Sequence, residues 1–136
     1  MDLIIELIAP LPHFLAYLGT AFGLTALYAV VYTAVTPQAE WTLLRQGNVS
    51  AALAFGGSLL GFVLPLASAI SHSVSIPDCV VWGLVALVIQ IAAFFGLRAF
   101  LRNLPRDIEE DRRGVATFAA LFFLSVGVLN AACMTW

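Results

Sequence analysis

The chain has 136 residues, of which 62% are hydrophobic and 10% charged, with a mean hydropathy of +1.00 and a formal net charge of -2. Water-soluble domains carry roughly 25% charged residues, so this balance excludes an ordinary soluble globule and makes lipid the expected solvent. The polar residues are bunched between apolar runs rather than spread along amphipathic helices, as they are in a membrane-spanning chain.

The opening MDLIIELIAPLPHF carries Asp2 and Glu6, lacks a basic leading region and runs into Pro10 and Pro12. It reads as a short amphipathic lead-in at the interface, not as a cleaved signal peptide. Four spans follow, over residues 13–35, 48–71, 79–101 and 115–136. At ~1.5 Å of rise per residue, about 20 residues cross the ~30 Å hydrocarbon core, so each run is long enough. The expected fold is an all-α membrane protein with four transmembrane helices in a single domain over residues 1–136.

Lipid gives apolar side chains little reason to meet, so helices associate through close backbone approach and buried polar contacts, and small residues mark their interfaces. Ala16, Gly19, Gly23 and Ala26 line up on the first span. The second span, AALAFGGSLLGFVLPLASAISH, carries Ser50, Ala54, Ser58, Gly61, Pro65, Ser68 and His72 as one stripe at spacings of three and four. Phe55, Leu59, Phe62, Leu66 and Ile70 form a bulky stripe about 100° away. On the third span the small face is Cys79, Gly83, Ala86, Gln90 and Ala93, and on the fourth it is Ala116, Ala120, Gly127, Asn130 and Met134. Helix packing is accordingly assigned to Gly57, Gly61, Pro65, Gly83 and Gly127. Pro65 also frees a backbone carbonyl for a nearby polar group.

Two connections share a plan. In TPQAEWTLLRQGN an interfacial helix is expected over residues 37–46, with Thr36 as cap, Pro37 at its first position, Gly47 at its end and Trp41 and Leu44 on one face. In NLPRDIEEDRRG a second is expected over residues 104–113, with Asn103 as cap, Pro105 in the first turn, Gly114 at the end and Glu109 pairing with Arg112 or Arg113. Arg45-x-Gly47 recurs as Arg112-x-Gly114 after 67 residues, which suggests two parallel helical hairpin repeats. The connection between them, SVSIPD, has capping-box spacing between Ser75 and Asp78, and Trp82 follows as an interfacial anchor.

All six basic residues, Arg45, Arg98, Arg102, Arg106, Arg112 and Arg113, lie at these two similar connections. The positive-inside rule then puts both connections in the cytoplasm and both termini in the periplasm. Arg45, Arg112 and Arg113 form the expected docking surface for a cytoplasmic or peripheral membrane protein, and the interleaved acids disfavour nucleic acid.

An amide inside hydrocarbon needs partners, so Gln90 and Asn130, with Ser58 and Ser68, are the candidate intramembrane polar residues. Two readings stand open: they knit helices or several copies of the chain together, or they line a pathway for an ion or small solute. His13, His72, Asp78, Cys79, Cys133 and Met134 gather toward the outward end, but their spacing matches no ligand motif, and no metal or cofactor is expected. Cys79 and Cys133 lie at similar depth, which leaves a disulfide or two packed thiols open. No nucleophile–base arrangement, phosphate loop or paired catalytic carboxylates are present in the sequence, so no enzymatic activity is expected.

The segments VTPQAEWTLLRQGN, AALAFGGSLLGFVLPLASAISHSVSIPD, WGLVALVIQ and VGVLNAACMTW resemble the YjfL-like family of small bacterial inner-membrane proteins, a domain of unknown function. The resemblance runs over nearly the whole chain and implies a four-helix inner-membrane protein without an assigned activity. Family members are encoded beside proteins resembling a membrane-stress protein and peptide–amine ligases, which implies a role in envelope maintenance. The expected function is a non-enzymatic structural component of an envelope-associated system, acting as a homo-oligomer; the alternative is an oligomeric channel or transporter subunit.

Overall fold

The structure is a computed structural model that describes residues 2–36 and 40–134. Pro37, expected to open the first connecting helix, and Trp136, expected to close the last span, lie outside the described residues. Seven helices are present among those described: α1 (Asp2–Ile8), α2 (Leu11–Val35), α3 (Glu40–Arg45), α4 (Val49–His72), α5 (Ile76–Phe100), α6 (Leu104–Glu109) and α7 (Arg113–Cys133). Four stretches are long and apolar enough to cross a membrane: α1 with α2, α4, α5 and α7. At ~1.5 Å per residue α4, α5 and α7 measure about 32 to 38 Å, a match to the hydrocarbon core with its interfaces. The protein is an all-α membrane protein of four spans.

The helix starts follow local chemistry. Asn48 caps α4, its Oδ1 accepting from Ala51 N at 2.8 Å. Ser75 caps α5 by accepting from Asp78 N at 3.3 Å, and Asp78 Oδ2 accepts from Val74 N at 3.1 Å, so each side chain satisfies a backbone donor at the turn. Asn103 occupies the cap position of α6 without a side-chain bond. Within the bundle α4 is central: it packs along α7 and also meets α2, α3, α5 and α6. Its small stripe meets α5 and α7 through Ser58, Gly61 and Ser68 and ends at an exposed His72, while Phe55, Phe62 and Leu66 of the bulky stripe are buried as well.

The first span departs from its expected orientation. Ala16, Gly19, Gly23 and Ala26 are exposed, and a Cβ added to Gly19 or Gly23 would meet nothing within 4 Å. The buried residues of α2 are Leu24, Tyr28 and Tyr32. Large rings win this face because α4 offers Phe55 and Phe62 to stack on: Tyr28 lies 4.6 Å from Phe62 with the rings 4° from parallel, and Tyr32 lies 5.2 Å from Phe55.

The two short helices end alike. After α3, Gly47 takes a left-handed φ of 77°, its N–H donates to Leu44 O and the Asn48 N–H donates to Leu43 O at 2.9 Å. After α6, Asp111 takes a φ of 57°, its N–H donates to Ile108 O and the Arg112 N–H donates to Asp107 O at 2.9 Å. Both are Schellman ends. The positions correspond at a spacing of 64, from Gly47 to Asp111, not at the 67 of the Arg-x-Gly match. Gly114 therefore does not end a helix; it lies in the first turn of α7. Aspartate replaces glycine at this left-handed residue because it tolerates the conformation and because its carboxylate has a further task.

Asp111 Oδ1 accepts from both Ser50 N, at 2.9 Å, and Ser50 Oγ, at 2.8 Å. Asn48 Nδ2 donates to Ile108 O at 2.9 Å. The turn after α6 thus caps the start of α4, clasping one hairpin to the other. The Ser50 hydroxyl, then its N–H, with Arg113 in support, hold the Asp111 carboxyl below its usual range. A depressed carboxylate contributes stability above its unfolded pKa, and that contribution is lost as the pH falls below about 4. In detergent, thermal midpoints should rank wild type above Asp111→Asn, then Asp111→Gly, then Asp111→Ala. The gap between wild type and Asp111→Asn should close on acidification through this range, as read by circular dichroism.

Candidate functional site

The interior polar residues converge where the four spans meet. Gln90 on α5 is fully buried, and its amide nitrogen donates to Ser58 O of α4 and to Phe123 O of α7, each at 3.2 Å. A helical carbonyl already accepts along its own helix but retains a second lone pair, so one side chain can join two backbones without breaking either. The Ser58 hydroxyl in turn hydrogen-bonds the Tyr28 hydroxyl of α2. Tyr28, Ser58, Gln90 and the Phe123 carbonyl therefore connect all four spans.

Glycine makes this reach available. A Cβ on Gly61 would stand on Phe123 O and 2.5 Å from Gln90 Nε2, while one on Gly127 would stand on Gly61 O and 2.6 Å from Gly61 Cα. One on Gly57 would lie 2.6 Å from Ala120 Cβ. Pro65 supplies no N–H to Gly61 O, four residues back, and that oxygen lies where a Cβ on Gly127 would stand. Gly83 differs, since its added Cβ would meet the flexible end of Leu24 at 2.7 Å. Around the crossing, Tyr32 packs edge-on against Phe94 and Phe123 at 5.6 and 6.5 Å.

The remaining polar candidates lie apart from this point. Ser68 Oγ donates to Ala131 O at 3.2 Å, a second link between α4 and α7. Asn130 is buried on α7, and its Nδ2 has no hydrogen-bond partner among the described residues; the same holds for Gln90 Oε1 and the Tyr32 hydroxyl. Cys79 is buried and Cys133 exposed, both as free thiols. His72 is exposed, with Nδ1 2.9 Å from Ser68 O.

The basic candidates share the end of the bundle that carries α3 and α6. Arg112 pairs with Glu110 at 3.3 Å and Asp107 at 3.6 Å, Arg113 with Asp111 at 3.6 Å, and Arg106 with Glu110 at 3.1 Å. Glu109, expected to pair with Arg112 or Arg113, forms no ion pair among the described residues; the left-handed turn at Asp111 brings Asp107 and Glu110 to Arg112 instead. Arg45 is exposed at the end of α3, likewise without an ion pair among the described residues.

Residues 6–134 match the family described as Domain of Unknown Function (DUF350). The chain belongs to this family. It is 41% identical over 123 residues to the UPF0719 inner membrane protein YjfL of Escherichia coli strain K12, covering 90% of this chain and 93% of that protein. It is 29% identical over 116 residues to the UPF0719 transmembrane protein YshE of Bacillus subtilis strain 168, covering 83% of this chain and 84% of that protein. No solved structure matches it. With its four apolar spans, this DUF350 chain is a multispan inner-membrane protein.

Sequence reading passed over Tyr28, Tyr32, Asn48, Ser50 and Asp111 as partners. The spacing of Leu24, Tyr28 and Tyr32 by four was available as a signal, and so was the cap spacing from Asn48 to Ala51. Nothing local announces the Asp111–Ser50 contact across 61 residues. In this DUF350 chain, Gly61→Ala and Gly127→Ala should each destabilise by about 1–3 kcal/mol, because backbone must move to admit the methyl group. Gly83→Ala should cost less, since a leucine rotamer can yield; thermal unfolding of the three variants in one detergent checks the order.

Proposed function

We propose that this DUF350 protein is a non-enzymatic structural component of the inner membrane. It assembles with copies of itself and offers its arginine-bearing connections to a cytoplasmic or peripheral membrane protein of an envelope-associated system. The observation that carries this reading is the hydrogen-bonded link from Tyr28 through Ser58 and Gln90 to Phe123 O, which uses the interior polarity to hold spans together. Both termini are periplasmic in this reading, since Arg45, Arg98, Arg102, Arg106, Arg112 and Arg113 all sit at the α3/α6 end. Self-assembly is supported by α2, whose Gly19 and Gly23 form an exposed GxxxG pair flanked by Ala16 and Ala26.

A channel or transporter subunit is the second reading, favoured by Gln90 Oε1 and Asn130 Nδ2, which are buried without hydrogen-bond partners among the described residues. The two readings separate in proteoliposomes. Gly19→Leu with Gly23→Leu should dissociate the assembly in size-exclusion light scattering while leaving the stability of the protomer within about 0.5 kcal/mol of wild type. Gln90→Leu should lower that stability by about 0.6–2 kcal/mol without altering ion or solute flux. A flux in the parent protein that Gln90→Leu or Asn130→Leu changes in an intact assembly decides for the pathway.

A further inference from the structure

An apolar groove of about 490 Å³ opens sideways between α2, α3 and α4. Phe22 and Ala29 form one wall, Phe55 and Gly56 the other, and Trp41 and Leu44 of α3 close the end nearest the interface. Among the described lining residues the only hydroxyl, that of Thr25, is committed to Ala21 O at 2.8 Å. The walls run from Phe22 to Ala29 and from Ala52 to Leu59, about 10 Å along the helix axes, which is most of one leaflet's ~15 Å hydrocarbon depth. Its origin is the turn of α2 that sends Tyr28 and Tyr32 into the bundle, leaving the α2–α4 seam open toward the side on which Phe22 is exposed.

The interfacial end of the groove carries a charge. Arg45 follows Leu44 and stands one helical turn after Trp41, so it shares the face of α3 that closes the groove. It has no ion-pair partner among the described residues, whereas Arg106, Arg112 and Arg113 are engaged by the acids of the other connection. A second copy of the chain in the same orientation would bring an identical cation to this depth. The geometry points to a site for one anionic phospholipid: an acyl chain lies along the groove against Phe55 and Trp41, and the headgroup phosphate is held by the Arg45 guanidinium. This inference does not rest on the polar crossing, but the groove shares Ala26 with the proposed self-assembly face and Arg45 with the proposed docking surface, so lipid in the groove and a second copy on that part of α2 exclude one another.

The test uses the full chain with Trp82→Phe and Trp136→Phe, so that Trp41 is the sole emitter, in phosphatidylcholine bilayers doped with brominated-chain lipid. Brominated phosphatidylglycerol should reach half-quenching at about a fivefold lower mole fraction than brominated phosphatidylcholine. Arg45→Gln should erase the difference and Arg45→Lys retain most of it. A Cβ on Gly56 meets nothing within 4 Å, so Gly56→Leu should fold with an unchanged thermal midpoint, fill the groove and weaken quenching by both lipids. Equal quenching by the two lipids with Arg45 present overturns the site in favour of ordinary lipid solvation. Quenching by neither lipid means that another copy of the protein occupies the seam, and quenching unchanged by Gly56→Leu places the chain outside the groove; either result also overturns it.

Discussion

The backbones of α4 and α7 touch at Gly61 and Gly127, and the rest of the bundle is arranged about that contact. In lipid, two helices gain no hydrophobic free energy by meeting, so contact must come from dispersion at short range and from polar groups that lipid cannot satisfy. Removing both Cβ atoms at the crossing supplies the first. It also supplies the second, because it brings Ser58 O and Phe123 O within reach of one amide on α5. A longer separation would leave Gln90 with an unfilled donor in hydrocarbon, at a cost well above that of a missing packing contact.

From this crossing the other spans take graded positions. The most apolar window of α4 is 44% buried, while that of the first span is only 11% buried, so α2 is the peripheral helix and has most of its surface free for lipid or another protein. It is held at one side by Tyr28 and Tyr32, whose rings replace the small-residue contact used elsewhere. At the α3/α6 end a different chemistry operates. There, near water, the carboxylate of Asp111 and the amide of Asn48 connect the hairpins through helix ends, where unsatisfied donors and acceptors are concentrated.

Four spans were legible because length and hydropathy settle them, and the inward stripes of α4, α5 and α7 were legible because close approach demands small residues at helical period. The same rule misreads α2. Gly19 and Gly23 are conspicuous, yet the inward face belongs to Leu24, Tyr28 and Tyr32, since a neighbour rich in phenylalanine rewards rings over glycines. Gln90 stands out as an amide in an apolar run, but its partners are backbone carbonyls, which every residue possesses and no sequence pattern marks. The Arg-x-Gly match between the two connections misplaced the second helix end by three residues, because the left-handed position is filled by Asp111, chosen for its carboxylate as well as its backbone.

The account turns on Gln90 as a closed link between helices, shut away from water. The chain holds three glutamines, Gln38, Gln46 and Gln90, so side-chain amides labelled with nitrogen-15 give a spectrum simple enough to assign in a bilayer. Solid-state NMR with water-edited transfer and deuterium exchange measures each one's access to solvent. The Gln90 amide protons should exchange far more slowly than those of the exposed Gln46 and show proximity to the Ser58 and Phe123 carbonyl carbons. Exchange of Gln90 at the rate of Gln46, with magnetisation arriving from water, would contradict the account and place the crossing on a hydrated path.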